Sequence, residues 1–276
     1  MRIDAHQHFW NLQRNDYGWL TPELTSLYKN FLPSNLAPLL KSHNIDGTIL
    51  VQAAPTNEET EFLLQLSEQN NSIKGVVGWV DFDNADASKR IMELAKHSRL
   101  IGLRPMIQDI DDVDWMLRSN VAKALQTMTD EELVFDALVM PKHLPNLKQI
   151  VEQNPNLSTV INHAAKPNIK DQAFTQWHAD ICAFSEHQQV SCKLSGLVTE
   201  AKEDWQAEDL YPYMDTLFDV FGHQRIIWGS DWPVCLLASS YATWIKLVER
   251  YLDEKKQSSE AILGANALRI YKLESN

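Results

Sequence analysis

Two histidines, His6 and His8, flank Gln7 in the stretch RIDAHQHFW near the amino terminus. Alternate residues of a strand face the same way, so both imidazoles would project together. Such a pair suits a metal ion or a polar substrate, and equally a polar corner of the core. Other polar residues follow or sit within short apolar runs further along: Gln52 in GTILVQA, Trp79 and Asp81 in GVVGWVDF, Arg104 in RLIGLRPM, Asp136 in LVFDALV, His163 in LSTVINHA, Lys193 and Ser195 in VSCKLSG, and Ser230 and Asp231 in RIIWGSDWP. Taken singly, each has a bland role as a structural histidine, a turn aspartate or a buried ion-pair partner. Taken together they are too many polar groups for a dry rim, since burying them unpaired would cost several kcal/mol each.

The chemistry such a set supports is hydrolysis by water. Asp231 can accept a proton from water as a general base. Arg104, or a metal on the histidines, can take up the charge that develops on a carbonyl oxygen. The chain has no G-x-S-x-G elbow, so a serine-nucleophile mechanism has no support.

The elements that must position these residues repeat as one unit. A β-rich run is followed by a longer segment with helical spacing. The seven runs quoted after the first, together with RIDAHQH, make eight. Their near-continuous Val, Ile and Leu content is that of parallel strands covered on both faces. Helical spacing places Phe62, Leu63 and Leu66 on one face, then Ile91, Met92, Leu94 and Ala95, then Leu144, Leu147, Ile150 and Val151. It recurs at Tyr213, Leu217 and Val220, ahead of a stop at Gly222, and at Trp244, Leu247, Val248 and Tyr251. Eight such units predict a single-domain α/β protein over residues 1–276, a (β/α)₈ barrel. A doubly wound sheet fits less well, because the first turn lacks a glycine-rich phosphate loop. The loop after the first strand, about residues 9–34, is long enough for a lid and carries Trp10, Tyr17, Trp19 and Tyr28.

Bulk properties narrow the partners. The 276 residues are 44% apolar with a formal net charge of −12, which disfavours nucleic acid and anionic membrane surfaces. No stretch approaches the ~18 apolar residues of a membrane span. Three scattered cysteines and the lack of a basic-apolar leader predict a cytoplasmic protein with reduced thiols. Oligomeric state is not readable.

At these residues the chain resembles the amidohydrolase superfamily, and within it the sugar-lactonase branch of L-fuconolactonase- and L-rhamnonolactonase-like proteins. The segments that carry the resemblance are IDAHQHFW, DYGWL, GLRP, FDALV, NHAAKP, CKLSGL, RIIWGSDWPV and GANALRIY, in order along the chain. It implies a (β/α)₈ barrel that opens a sugar lactone to its aldonic acid. Asp231 would be the base, His163 and Arg104 catalytic partners, and His6, His8, Gln52, Trp79, Trp10 and Trp232 substrate-binding groups.

One departure matters. Metal-dependent relatives carry Lys or Glu on strand four and His on strand five, where this chain has Arg104 and Asp136. Arginine has no lone pair with which to bridge two ions. The resemblance therefore leaves one Zn²⁺ or other divalent metal on His6, His8 and Asp231, helped by His163, or no metal with Arg104 supplying the charge. Two other readings stand beside the lactonase: a metal-dependent non-oxidative decarboxylase of an aromatic or dicarboxylic acid on the same barrel, and a non-catalytic barrel, which the intact polar set disfavours.

Overall fold

Each of the eight apolar runs forms a strand in the computed structural model, which describes residues 1–273. The strands are β1 (Ile3–Gln7), β2 (Gly47–Val51), β3 (Ile73–Gly78), β4 (Leu100–Leu103), β5 (Val134–Ala137), β6 (Thr159–Ile161), β7 (Val190–Leu194) and β8 (Ile226–Trp228). They pair in sequence order and all in parallel. The seam between β8 and β1 is closed just beyond the strands. There Asp231 N–H donates to the His6 carbonyl at 2.8 Å and His8 N–H to the Trp232 carbonyl at 2.7 Å. A β-carbon on Gly229 would lie 2.5 Å from the His6 β-carbon, so only glycine lets the two chains approach this closely.

Helices α1 (Pro33–Ser42), α2 (Asn57–Gln69), α3 (Ala87–Ala95), α4 (Ser119–Asp130), α5 (Leu144–Gln153), α6 (Phe174–Cys182), α7 (Ala207–Phe221) and α8 (Tyr241–Glu254) follow the strands in turn. The stripes expected on α5, α7 and α8 are buried. Two others are rotated. On α3, Ile91 and Leu94 are buried but Met92 is 44% exposed. On α2, Leu63 and Leu64 face inward, and Phe62 lies under the Arg14 guanidinium at 4.9 Å. The arginine covers a ring that would otherwise demand the core. The expected helices omit α1, α4 and α6; α1 carries Pro38 inside it, which breaks the ordinary pattern.

The core has two parts. A large apolar layer fills the space between strands and helices. A smaller one, with Ile3, Ala5, Ile49, Val77, Val160 and Ile227, fills the barrel interior and continues onto the short α9 (Asn266–Ile270) and Tyr271. The barrel is thus plugged at its amino end, and its polar residues collect at the other, as the fold requires.

The first loop is folded tightly onto that open end. Trp10 and Phe31 pair by backbone hydrogen bonds of 2.9 and 3.0 Å. Around them Tyr17, Trp19, Phe31 and Trp232 form a chain of edge-to-face and tilted rings. The Tyr17 hydroxyl donates to buried Glu59 of α2 at 2.8 Å, anchoring the loop to the barrel. The loop gives way to α1 at Pro33, within two residues of the expected boundary.

Candidate active site

His6 and His8 do share a face at the end of β1. The His8 Nδ1 hydrogen bonds to the Val51 carbonyl at 2.8 Å, which makes Nδ1 the protonated nitrogen. Its Nε2 lone pair is thereby aimed at the centre of the barrel mouth, 3.2 Å from His6 Nε2 and 3.3 Å from Asp231 Oδ1. His6 Nε2 and His163 Nε2 stand 3.6 and 3.9 Å from the same Oδ1. Three imidazole nitrogens from two strand ends therefore converge on one carboxylate oxygen.

Backbone conformation delivers two of these groups. Asp231 has φ +56°, and the turn before it is pinned by Ser230 N–H donating to buried Asp4 at 2.8 Å. After β6, His163, Ala164, Ala165 and Lys166 all have φ between +51° and +59°. Four successive non-glycine residues in the left-handed region cost of order 1–2 kcal/mol each. Such strain persists where the surroundings impose it, and it gathers at functional sites. Here it turns His163 toward Asp231, with its Nδ1 2.8 Å from the Ser195 hydroxyl. Gly196, at φ +64°, leaves room for that ring; a β-carbon there would sit 2.5 Å from His163 Nδ1.

Arg104 follows β4. One terminal nitrogen lies 3.5 Å from His6 Nε2, and the other donates to the Gln52 carbonyl. Gln52 returns a hydrogen bond from Nε2 to the Arg104 carbonyl at 2.7 Å. Gln52 is thus a buried brace behind the arginine. Deeper in the barrel, Asp136 is held between Lys193 and the Tyr271 hydroxyl.

Burial sets the charges. It pushes the imidazoles of His6, His8 and His163 down, His163 to about 3, so all three are neutral at pH 7. Burial also pushes the Asp231 carboxyl up, but in the acid range where it titrates the protonated His163 and His8, together with Lys166, outweigh burial and hold the group below its usual range, so it is a carboxylate at pH 7. Burial draws Arg104 down to about 10 against the pull of Asp136 and Asp231, leaving it a cation.

A cavity of about 210 Å³ opens over these groups, lined by His8, Arg104, His163, Lys166 and Asp231, with Trp19 as one wall. That is smaller than the ~300–1,000 Å³ of drug-sized sites, and suits a single small ring. Trp10 and Trp232 do not line it. Both are fully buried in the loop's ring cluster, Trp10 donating from Nε1 to the Lys29 carbonyl at 2.7 Å. Trp79 lines a neighbouring cavity instead. Lys166 was not among the expected site residues, although it stands in the quoted NHAAKP. It also faces Glu200 Oε1 at 3.6 Å.

The donor set fits a metal ion. One ligand atom from each of His6, His163 and Asp231 lies within 4.8 Å of the others, which draws His163 into the set expected from His6, His8 and Asp231. Tetrahedral bonds of 2.0–2.1 Å put neighbouring ligand atoms about 3.3 Å apart, close to the 3.2–3.9 Å contacts among these four residues. Neutral imidazoles and a carboxylate are the ligand states a divalent ion needs. The Arg104 guanidinium borders the set, 3.5 Å from His6 Nε2, and has no lone pair with which to bridge a second ion.

A family model described as amidohydrolase matches residues 3–273. The chain belongs to the amidohydrolase family. Relatives of this amidohydrolase include an L-fucono-1,5-lactonase of Burkholderia ambifaria, 39% identical over 99% of this chain and 96% of that one. A second L-fucono-1,5-lactonase, of Burkholderia multivorans, is 36% identical over the same shares. A solved amidohydrolase of Burkholderia multivorans with bound zinc superposes with a TM-score of 0.93 at 35% identity, over 99% of this chain and all of the other. A 5-carboxyvanillate decarboxylase of Sphingomonas paucimobilis shares the fold at 13% identity and a TM-score of 0.68, covering 99% of each chain. Among the described residues, no helix is long and apolar enough to cross a membrane.

Proposed function

We propose that this amidohydrolase opens a sugar lactone of the L-fucono-1,5-lactone class to its aldonic acid. The observation that carries this is the convergence of His6, His8, His163 and Asp231, with Arg104 alongside, in a chain 39% identical to an L-fucono-1,5-lactonase from end to end. The decarboxylase reading rests on fold alone.

The lactone ring lies in the 210 Å³ cavity with its carbonyl carbon facing Asp231. Asp231, held as a carboxylate, takes a proton from water as the water oxygen bonds to that carbon. The carbonyl oxygen gains the charge and meets the Arg104 guanidinium, whose other arm is fixed on Gln52. The bond from that carbon to the ring oxygen then breaks. Lys166, which lines the same cavity, gives the departing oxygen its proton and is recharged from Asp231 through solvent. His6, His8, His163 and Asp231 are the residues that would hold a single divalent metal ion. Bound there, it would supply Lewis acidity and a more acidic water. The substrate is a small neutral molecule, and the three unpaired cysteines, Cys182, Cys192 and Cys235, fit a cytoplasmic setting.

The test is hydrolysis of L-fucono-1,5-lactone followed by a pH indicator, with and without chelator. Asp231→Asn should lower kcat by roughly 10²–10⁴-fold while the fold is retained, because a base is lost and little volume changes. Turnover near that of the unaltered protein would overturn the assignment.

A further inference from the structure

Beside the catalytic cavity lies a second one of about 680 Å³, and Trp19, Met106 and Asp109 line both. The loops after β1, β2, β3 and β4 build it on the same face of the barrel. Its size falls in the ~300–1,000 Å³ range of small-molecule sites. Three indoles, Trp19, Trp79 and Trp115, contribute to its walls. Two are fixed by hydrogen bonds from their ring nitrogens, Trp19 to the Ala53 carbonyl at 2.7 Å and Trp115 to Asp83 at 2.8 Å. Asp81 and Asp109 add carboxylates, and Asp16 a third that is paired with the Arg14 guanidinium. The one cation among the lining residues is Arg118, already paired with Asp83 at 2.5 Å and Asp112 at 2.6 Å. The catalytic cavity, by contrast, carries two cations, Arg104 and Lys166, beside the carboxylates of Asp109 and Asp231.

We propose that this second cavity is a binding site for a neutral pyranose ring. The C–H face of a sugar ring lies flat on an immobilised indole and buries apolar area there. Its hydroxyls donate to carboxylates in charge-assisted hydrogen bonds. An anionic aldonate, the product of lactone opening, meets several like charges at the same walls and is repelled. The two neighbouring cavities therefore differ in what they hold: the one with Arg104 and Lys166 takes the reacting carbonyl and its developing charge, and the acidic one takes an uncharged ring. The ligand class follows from this lining, not from lactone hydrolysis, so binding here and turnover at Asp231 can fail separately.

The test uses methyl α-L-fucopyranoside, which is neutral and has no lactone carbonyl, with L-fuconate as its anionic counterpart. Each is titrated against the intact protein by tryptophan fluorescence and soaked into crystals. The expected result is saturable binding of the glycoside at about millimolar Kd, as suits a ligand of this size, with density between Trp79 and the fixed Trp115, and no fuconate there. Ile110 lines this cavity; Ile110→Trp, which fills it, should weaken glycoside binding by at least about tenfold, while Ile110→Ala should retain it. Absence of saturable binding, density confined to the catalytic cavity, fuconate bound equally well, or unchanged affinity in a folded Ile110→Trp protein would each overturn the proposal. The crystal soak of the unaltered protein decides the matter if Ile110→Trp does not fold.

Discussion

Arg104 and Lys166 are two cations over one small cavity, and they are assigned different moments of one reaction. In the proposed reaction Arg104 faces the oxygen that becomes negative as water adds. Replacing it by methionine keeps the stem and removes the donors, so kcat should fall by roughly 10²-fold, while KM rises less than the rate drops. A rise confined to KM would make Arg104 a binding group only. Lys166 is proposed to serve the leaving oxygen, so its importance should follow how poor that leaving group is. Lys166→Gln should slow an aldonolactone by about 10²-fold. It should leave nearly untouched a lactone that expels a phenolate, which needs no proton. Equal losses on both would make the lysine merely a partner of Glu200. The sequence made the polar atoms legible: His6, His8, His163, Arg104 and Asp231 are brought together as expected. It was less informative about Trp10 and Trp232, because an indole signals burial without saying on which side of a loop it is buried. Lys166 escaped because its entry to the cavity depends on a left-handed turn of His163, Ala164, Ala165 and Lys166. No local preference of those residues encodes that turn; the tertiary structure imposes it.

The strands were the most legible elements, since a parallel strand covered on both faces reads as an unbroken apolar run. The helices were less so where a proline interrupts them, as in α1, or where an arginine covers an outward ring, as over Phe62 of α2. What no apolar pattern announces is the seam between β8 and β1, where the site is assembled. It closes because Gly229 has no β-carbon; one built there would lie 2.5 Å from the His6 β-carbon and 3.0 Å from His6 N. Gly229→Ala must therefore push the two chains apart, and with them His6 and Asp231. Overpacking of this kind costs typically 1–3 kcal/mol, or a Tm drop of roughly 2–10 °C. Turnover per folded molecule should fall as well. Gly75→Ala on β3 makes the comparison, since its β-carbon would crowd the Ile101 side chain, away from the site. It should lower Tm and leave kcat alone. Similar kcat losses in both variants would mean that the seam is not what aligns the catalytic groups.

Across the whole molecule, the first loop is coupled to the barrel through a buried acid. Glu59 of α2 accepts from Ala53 N–H at 3.0 Å and from the Tyr17 hydroxyl at 2.8 Å, and the Arg14 guanidinium lies 3.5 Å away. Burial nevertheless wins and pushes its carboxyl up from 4.5 to about 7. The sign of the consequence follows from proton counting. Between these two values the folded protein binds a proton that the unfolded chain has released, so stability falls as pH rises. The contribution is fully present below pH 4.5 and is lost by the time pH has passed 7. The total change is about 3 kcal/mol in the limit of complete burial. Glu59→Gln keeps a carbonyl for Ala53 and cannot ionise, so its Tm measured from pH 5 to 8 should decline less steeply than that of the unaltered protein. Subtracting the two profiles removes the other titrating groups, including Asp4, whose burial pushes it up to about 6 and tilts stability the same way. If the two profiles run parallel, Glu59 keeps its charge in the folded state, with Arg14 and the Tyr17 hydroxyl offsetting its burial. The loop would then be clamped by an ion pair at neutral pH instead of by a neutral acid.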